Sequence, residues 1–167
     1  MKVCMEQSHP ISMLKERRYF RIKEILLLKT AALFHDAGHI IDYDNHEFYG
    51  TQIAKEMLPS FNYTPDQIDR ICSIILSTKL PPKPTNLLEN IICDSDLDYL
   101  GRSDFIPVSN TLYEELSAQN KMGSLNDWNK IQVKFISGHQ YFTKTARKLR
   151  EVNKQLQIER IQSLITE

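Results

Sequence analysis

The chain has 167 residues, 41% hydrophobic and 25% charged, so it is long enough for a sizeable core and ordinary for a soluble globular protein. Its 21 Lys and Arg balance 21 Asp and Glu, and the zero net charge excludes a global basic field for nucleic acid or anionic membrane. No apolar run is long enough to span a bilayer, no signal-peptide core opens the chain, and Cys4, Cys72 and Cys93 share no CxxC spacing, so the expectation is a cytoplasmic protein without structural disulfides.

Helical spacing of apolar residues runs from Ser12 to about His35, through Leu14, Ile22, Ile25, Leu26, Ala32 and Leu33. Gly38 ends or kinks that helix. Asp44 or Asn45 caps the next, which carries Phe48, Ile53, Ala54, Met57 and Leu58 and stops at Pro59. Thr64-Pro65-Asp66-Gln67 is a start signal with Pro at the first helical position and Gln placed for a capping box. Its helix carries Ile68, Ile71, Ile74 and Ile75. Pro81-Pro82-Lys83-Pro84 is a stiff connector. Thr85 is expected to cap a helix with Leu88, Ile91, Ile92 and Leu97. Asn110 to Ala118 reads as helical, and Ser124 to Asp127 resembles a second capping box before Trp128, Ile131, Phe135 and Ile136. Thr143 to Ile165 reads as one long, charged helix. No strand-type alternation, repeat or linker appears, so the prediction is one all-α domain over 1–167.

Two polar clusters interrupt the apolar pattern. His35-Asp36 closes the run Ile25 to Phe34, where a desolvated pair needs a partner or a metal. Ile91 to Arg102 carries Asp94, Asp96 and Asp98; Asp94 and Asp98 share a helix face while Asp96 points elsewhere. At least one of these carboxylates must face inward and needs a cation, a donor or a proton. His35, Asp36 and one such aspartate would give a mixed nitrogen and oxygen set that suits Mn, Mg, Fe, Co or Zn.

These residues resemble the HD-domain superfamily of metal-dependent phosphohydrolases. His35-Asp36 resembles its name-giving dyad, and Ser95-Asp96-Leu97 its downstream Ala-Asp-Arg/Leu element. The likeness runs from about Glu24 to Leu149 and takes in Tyr43 to Glu47, Thr78 to Pro81, Leu97 to Arg102 and His139 to Thr143. It implies an all-α, HD-type helical bundle with His35, Asp36 and Asp96 as ligands of one divalent metal ion, and it leaves room for a second. It implies metal-activated water attacking phosphorus in a nucleotide or other small phosphoester. Asp94 or Glu47 would take the proton or position that water, and Lys79, Arg102 or His46 would offset phosphoryl charge. His39 would be substrate-facing or next to a ligand.

Each of these residues also has a plainer reading. His46-Glu47 would hold a second metal, orient a phosphate, or simply be a solvated helix start. Lys79 would hold a phosphate or stay solvated. Arg102 would clamp a phosphate or pair with an aspartate of its own helix. His139, Tyr141 and Arg147 form a polar-aromatic patch with packing as the default. One departure from the family stands out: the pattern carries an earlier histidine on a preceding helix, and here only His9 precedes the dyad, followed by Pro10. Residues 1–23 therefore read as a divergent or truncated first helix. The competing function is a catalytically degenerate HD domain serving regulation, signalling or dimerisation through the long helix over 143–167, with a homodimer as the expected partner state. Nucleic-acid binding through Lys15, Arg17, Arg18, Arg21 and Lys23 is disfavoured, because only Tyr19 and Phe20 interleave that cluster.

Overall fold

Helices begin where the chain offers caps and apolar faces, and the structure, a computed structural model, shows seven of them among residues 10–166, with side chains described for residues 21–166. Cys4 and His9 lie outside the described residues, as do the side chains of Leu14, Lys15, Arg17, Arg18, Tyr19 and Phe20. The described residues contain no strand, and the fold is all-α. No helix is long and apolar enough to cross a membrane. The chain divides into two compact units between Pro84 and Thr85.

The first unit holds α1 (Pro10–Phe34), α2 (His46–Met57) and α3 (Pro65–Leu76), with 3-10 turns at Ala37–Ile40 and Leu58–Phe61. Thr64 caps α3 as its sequence predicts. Gln67 donates its N–H to the Thr64 hydroxyl at 3.3 Å, and Thr64 donates its N–H to Gln67 Oε1 at 2.8 Å. The α3 face formed by Ile68, Ile71, Ile74 and Ile75 is buried. On α1 the buried face is Leu27, Thr30, Ala31 and Phe34, which recur at the i, i+3, i+4, i+7 positions of one helical stripe. The apolar set Ile22, Ile25, Leu26, Ala32 and Leu33 lies on exposed positions instead. The apolar run encircles this helix, so spacing alone does not choose its phase; packing against α3 does. Thr30 is accommodated inside by bonding the Leu26 carbonyl at 2.9 Å and the Tyr63 hydroxyl at 2.7 Å.

The second unit holds α4 (Leu87–Asp96), α5 (Phe105–Ala118), α6 (Leu125–Gly138) and α7 (Lys144–Gln162), with a 3-10 turn at Asp98–Gly101. Its core joins Leu97, Leu100, Phe105, Ile136, Ile158 and Ile161. The cap of α4 is Asn86, not Thr85. Asn86 accepts the N–H groups of Leu88 and Glu89, while Thr85 donates its N–H and hydroxyl to the buried Glu89 carboxylate. Helix α5 begins at Phe105, earlier than expected, because Pro107 sits in its first turn, where no intrahelical N–H bond is lost. Ser124 and Asp127 form the expected capping box of α6. The lone tryptophan, Trp128, is buried and donates Nε1–H to Ser109 at 3.1 Å. Helix α7 buries Ile158 and Ile161 and leaves Leu149, Val152 and Leu156 exposed.

Candidate metal centre

Helix α1 stops at Phe34, so the dyad occupies the turn that follows it. His35 Nδ1 lies 2.9 Å from the Ala32 carbonyl. A carbonyl only accepts, so Nδ1 carries a proton and Nε2 is left to face elsewhere. That Nε2 faces Asp36 Oδ2 at 3.3 Å. His46, the first residue of α2, repeats the arrangement. Its Nδ1 lies 2.8 Å from the Tyr43 carbonyl, and its Nε2 faces Glu47 Oε1 at 3.5 Å and Asp36 Oδ1 at 3.8 Å. Imidazole lone pairs aimed at carboxylates repel unless a proton or a cation lies between them.

His39 reaches the same spot through the turn Ala37–Ile40. That turn lies directly on α2, and a Cβ on Gly38 would stand 2.0 Å from the His46 carbonyl oxygen. Only glycine permits this approach. A Cβ on Gly50 would likewise meet the Phe34 carbonyl oxygen at 2.5 Å, so glycine also sets how closely α2 approaches the end of α1. The result is that the His39 ring stacks on His46, with centroids 3.8 Å apart and planes 15° apart. His39 Nε2 is then 3.7 Å from Asp36 Oδ1. The start of α2 is held by Asp42, whose Oδ1 accepts the N–H groups of Asp44 and Asn45; Asn45 occupies the cap position without a side-chain bond.

Asp36, His39 and His46 thus offer three ligand atoms within 4.8 Å of one another, all within the first unit. Asp36 shows one oxygen to His35 and the other to His39 and His46. The expected desolvation of the dyad is corrected for Asp36, whose side chain is 60% exposed because the helix ends before it. The deeply buried acid is its neighbour Glu47, at 5% exposure, and its Oε2 has no hydrogen-bond partner. The sequence reading placed His39 toward substrate or next to a ligand and His46 on a phosphate or a second metal; the structure groups both with Asp36 as candidate ligands. Their convergence rests on a tertiary contact at Gly38 that spacing does not display.

The remaining predicted residues have other surroundings. Lys79 is exposed in the turn after α3. Asp94, Asp96 and Arg102 belong to the second unit. Asp94 is buried, and its two oxygens accept the backbone N–H groups of Phe142 and Thr143 at 2.7 and 2.8 Å. This anchors the start of α7 and gives the carboxylate a structural task. Asp96 is half-buried at the end of α4. Arg102 pairs with Asp104, with Nε 2.8 Å from Oδ1, and this pairing holds the Asp104 carboxyl below its usual range. Asp98 pairs with Arg150 at 2.7 Å. His139 is buried with both ring nitrogens unpartnered. Burial and then the Lys154 ammonium push its pKa down to about 4, against smaller opposing effects of Glu151 and Asp94.

Comparison with protein families finds the HD domain over residues 10–99, more than half of the chain. No curated protein and no solved structure matches. The matched stretch contains the His35-Asp36 dyad, the histidines grouped around it and Asp96. The chain belongs to the HD domain family.

Proposed function

We propose that this protein is a metal-dependent phosphohydrolase acting on a small phosphoester, with nucleotides as the leading substrate class. Membership of the HD family supports the reaction class. The observation that carries the reading is the convergence of Asp36, His39 and His46 on one point. The residues present fit a divalent ion. The Nε2 atoms of His35 and His46 are turned toward carboxylate oxygens, and a buried Glu47 oxygen lacks any partner. Asp36, His39 and His46 would hold the ion, with His35 on the other oxygen of Asp36; the family likeness adds Asp96.

A bound divalent ion supplies Lewis-acid polarisation of a phosphoryl oxygen and acidifies water. The chain's own contribution is orientation. The Ala32 and Tyr43 carbonyls hold a proton on Nδ1 of His35 and of His46, and so orient each ring with Nε2 toward the site. Lys79 supplies an exposed ammonium for phosphate charge. Arg102 is engaged by Asp104 and contributes less.

The test is metal content of protein purified without added metal, followed by hydrolysis of bis(p-nitrophenyl) phosphate and a nucleotide panel with Mn2+. About one equivalent of metal and turnover abolished by chelator and by Asp36→Ala are expected. Parallel loss of metal in Asp96→Ala would assign that residue as well. A second reading, a non-catalytic HD module, is favoured by the exposed Leu149, Val152 and Leu156 on α7. Folded protein without metal or turnover that self-associates as its concentration rises would replace the hydrolase reading with this one.

A further inference from the structure

Asp96 is the last residue of α4, and the backbone leaves the helix at Leu97. A side chain at a helix end is placed only as firmly as the chain beyond it, because the last turn has no following turn to bond. Here that chain is the 3-10 turn Asp98–Gly101, and it is held by α7 and the segment leading into α7. The Tyr141 hydroxyl donates to the Leu97 carbonyl at 3.3 Å. Arg150 donates Nε and Nη2 to the two oxygens of Asp98 at 2.7 and 3.2 Å, and both side chains are half-buried. A Cβ on Gly101 would stand 2.5 Å from the Arg150 Cβ and 2.6 Å from its carbonyl oxygen, so the turn lies directly on the backbone of the same arginine. Further along α7, Gln157 donates Nε2 to the Arg102 carbonyl at 3.1 Å.

Arg150 therefore meets the turn twice, through its guanidinium and through its backbone. We propose that Arg150, paired with Asp98, is the positioning residue for Asp96: it fixes the turn that follows α4 and so places the Asp96 carboxylate for a divalent ion. A surface ion pair adds little to stability, whereas a half-buried bidentate fork imposes a geometry. The neighbouring pair, Arg102 with Asp104, makes the contrast. It joins two residues of one loop and ties that loop to no other element. The Asp98–Arg150 pair joins residues 52 positions apart. Tyr141, Arg150 and Gln157 all lie beyond the stretch that matches the HD family, which ends at residue 99. A carboxylate inside the family match is thus placed by side chains outside it. The inference rests on the metal-dependent reading above, with Asp96 as a ligand. It gives the inward face of α7 a task separate from that of its exposed Leu149, Val152 and Leu156.

The experiment compares the full wild-type chain with Arg150→Met, Arg150→Lys, Asp98→Asn, Asp96→Ala and Trp128→Phe, all stripped by chelator. Mn2+ binding is measured by calorimetry, the bound ion by its paramagnetic resonance spectrum, and melting by circular dichroism. Arg150→Met and Asp98→Asn are each expected to weaken Mn2+ binding about 10–100-fold and to change the spectrum of the bound ion. The double variant is expected to be no weaker than the singles, because both break the same pair. Arg150→Lys keeps the charge without the fork, so its affinity is expected between wild type and Arg150→Met. Trp128→Phe loses the bond to Ser109 and is expected to lower the melting temperature while keeping wild-type affinity, which separates position from stability. Should Arg150→Met fail to fold, Asp98→Asn and Arg150→Lys carry the test. Wild-type affinity in the Arg150 and Asp98 variants, with binding weakened in Asp96→Ala, would overturn the inference and leave the metal reading intact. So would an equal loss of affinity in Trp128→Phe, or wild-type affinity in Asp96→Ala. No Mn2+ binding by the wild-type chain would overturn both.

Discussion

Asp94 accepts the N–H groups of Phe142 and Thr143 from a site that is almost wholly buried. Hydrogen bonds to a charged acceptor are worth more than neutral ones, and removing the acceptor strands two donors at the start of α7. Asp94→Ala is therefore expected to destabilise the second unit by about 3 kcal/mol, read as a drop in the urea midpoint followed by Trp128 fluorescence. Metal content should stay at the wild-type level. Loss of metal without loss of stability would instead restore Asp94 to the chemistry. The sequence showed that an inward aspartate in this cluster needs a donor or a cation. It could not show that the donors come from residues nearly fifty positions away.

The elements that were legible in the sequence are those specified locally. Thr64 with Gln67, and Ser124 with Asp127, carry their partners three residues on, and both capping boxes form. Helix α1 was legible as a helix but not in its phase, because Ile25 to Phe34 is apolar on every side. Gly38 was legible as a helix stop. Its second effect, letting the Ala37–Ile40 turn lie against the His46 carbonyl, depends on where α2 passes. Gly38→Ala is therefore expected to cost about 1–3 kcal/mol through overpacking. Because it pushes His39 away from His46, it should also weaken Mn2+ binding in a chelator competition. An unchanged affinity would mean that His39 is not part of the centre.

At the scale of the molecule, His139 makes stability depend on pH. Its folded pKa of about 4 lies below the unfolded value of 6.5, so between these the unfolded chain binds more protons. Stability is then fully present above about pH 6.5 and is lost as the pH falls toward 4. Lys154, Glu151 and Asp94 are the charges that bear on the ring, and the effects of burial and Lys154 outweigh those of the two acids. The expected result is a lower urea midpoint for Trp128 at pH 5 than at pH 7, with a flatter dependence in His139→Gln. An equal slope in that variant would assign the acid sensitivity to other groups. The HD family and the all-α class were legible in whole-chain pattern, whereas the division between Pro84 and Thr85 was not, since four residues from Pro81 to Pro84 read only as a stiff connector. The candidate ligands Asp36, His39 and His46 also sit close together along the chain, and this has a thermodynamic consequence. Closing so short a loop costs little conformational entropy even before the chain folds. The unfolded polypeptide would therefore retain part of the proposed affinity for the ion, and the melting temperature is expected to rise on metal binding by less than the native dissociation constant alone would give.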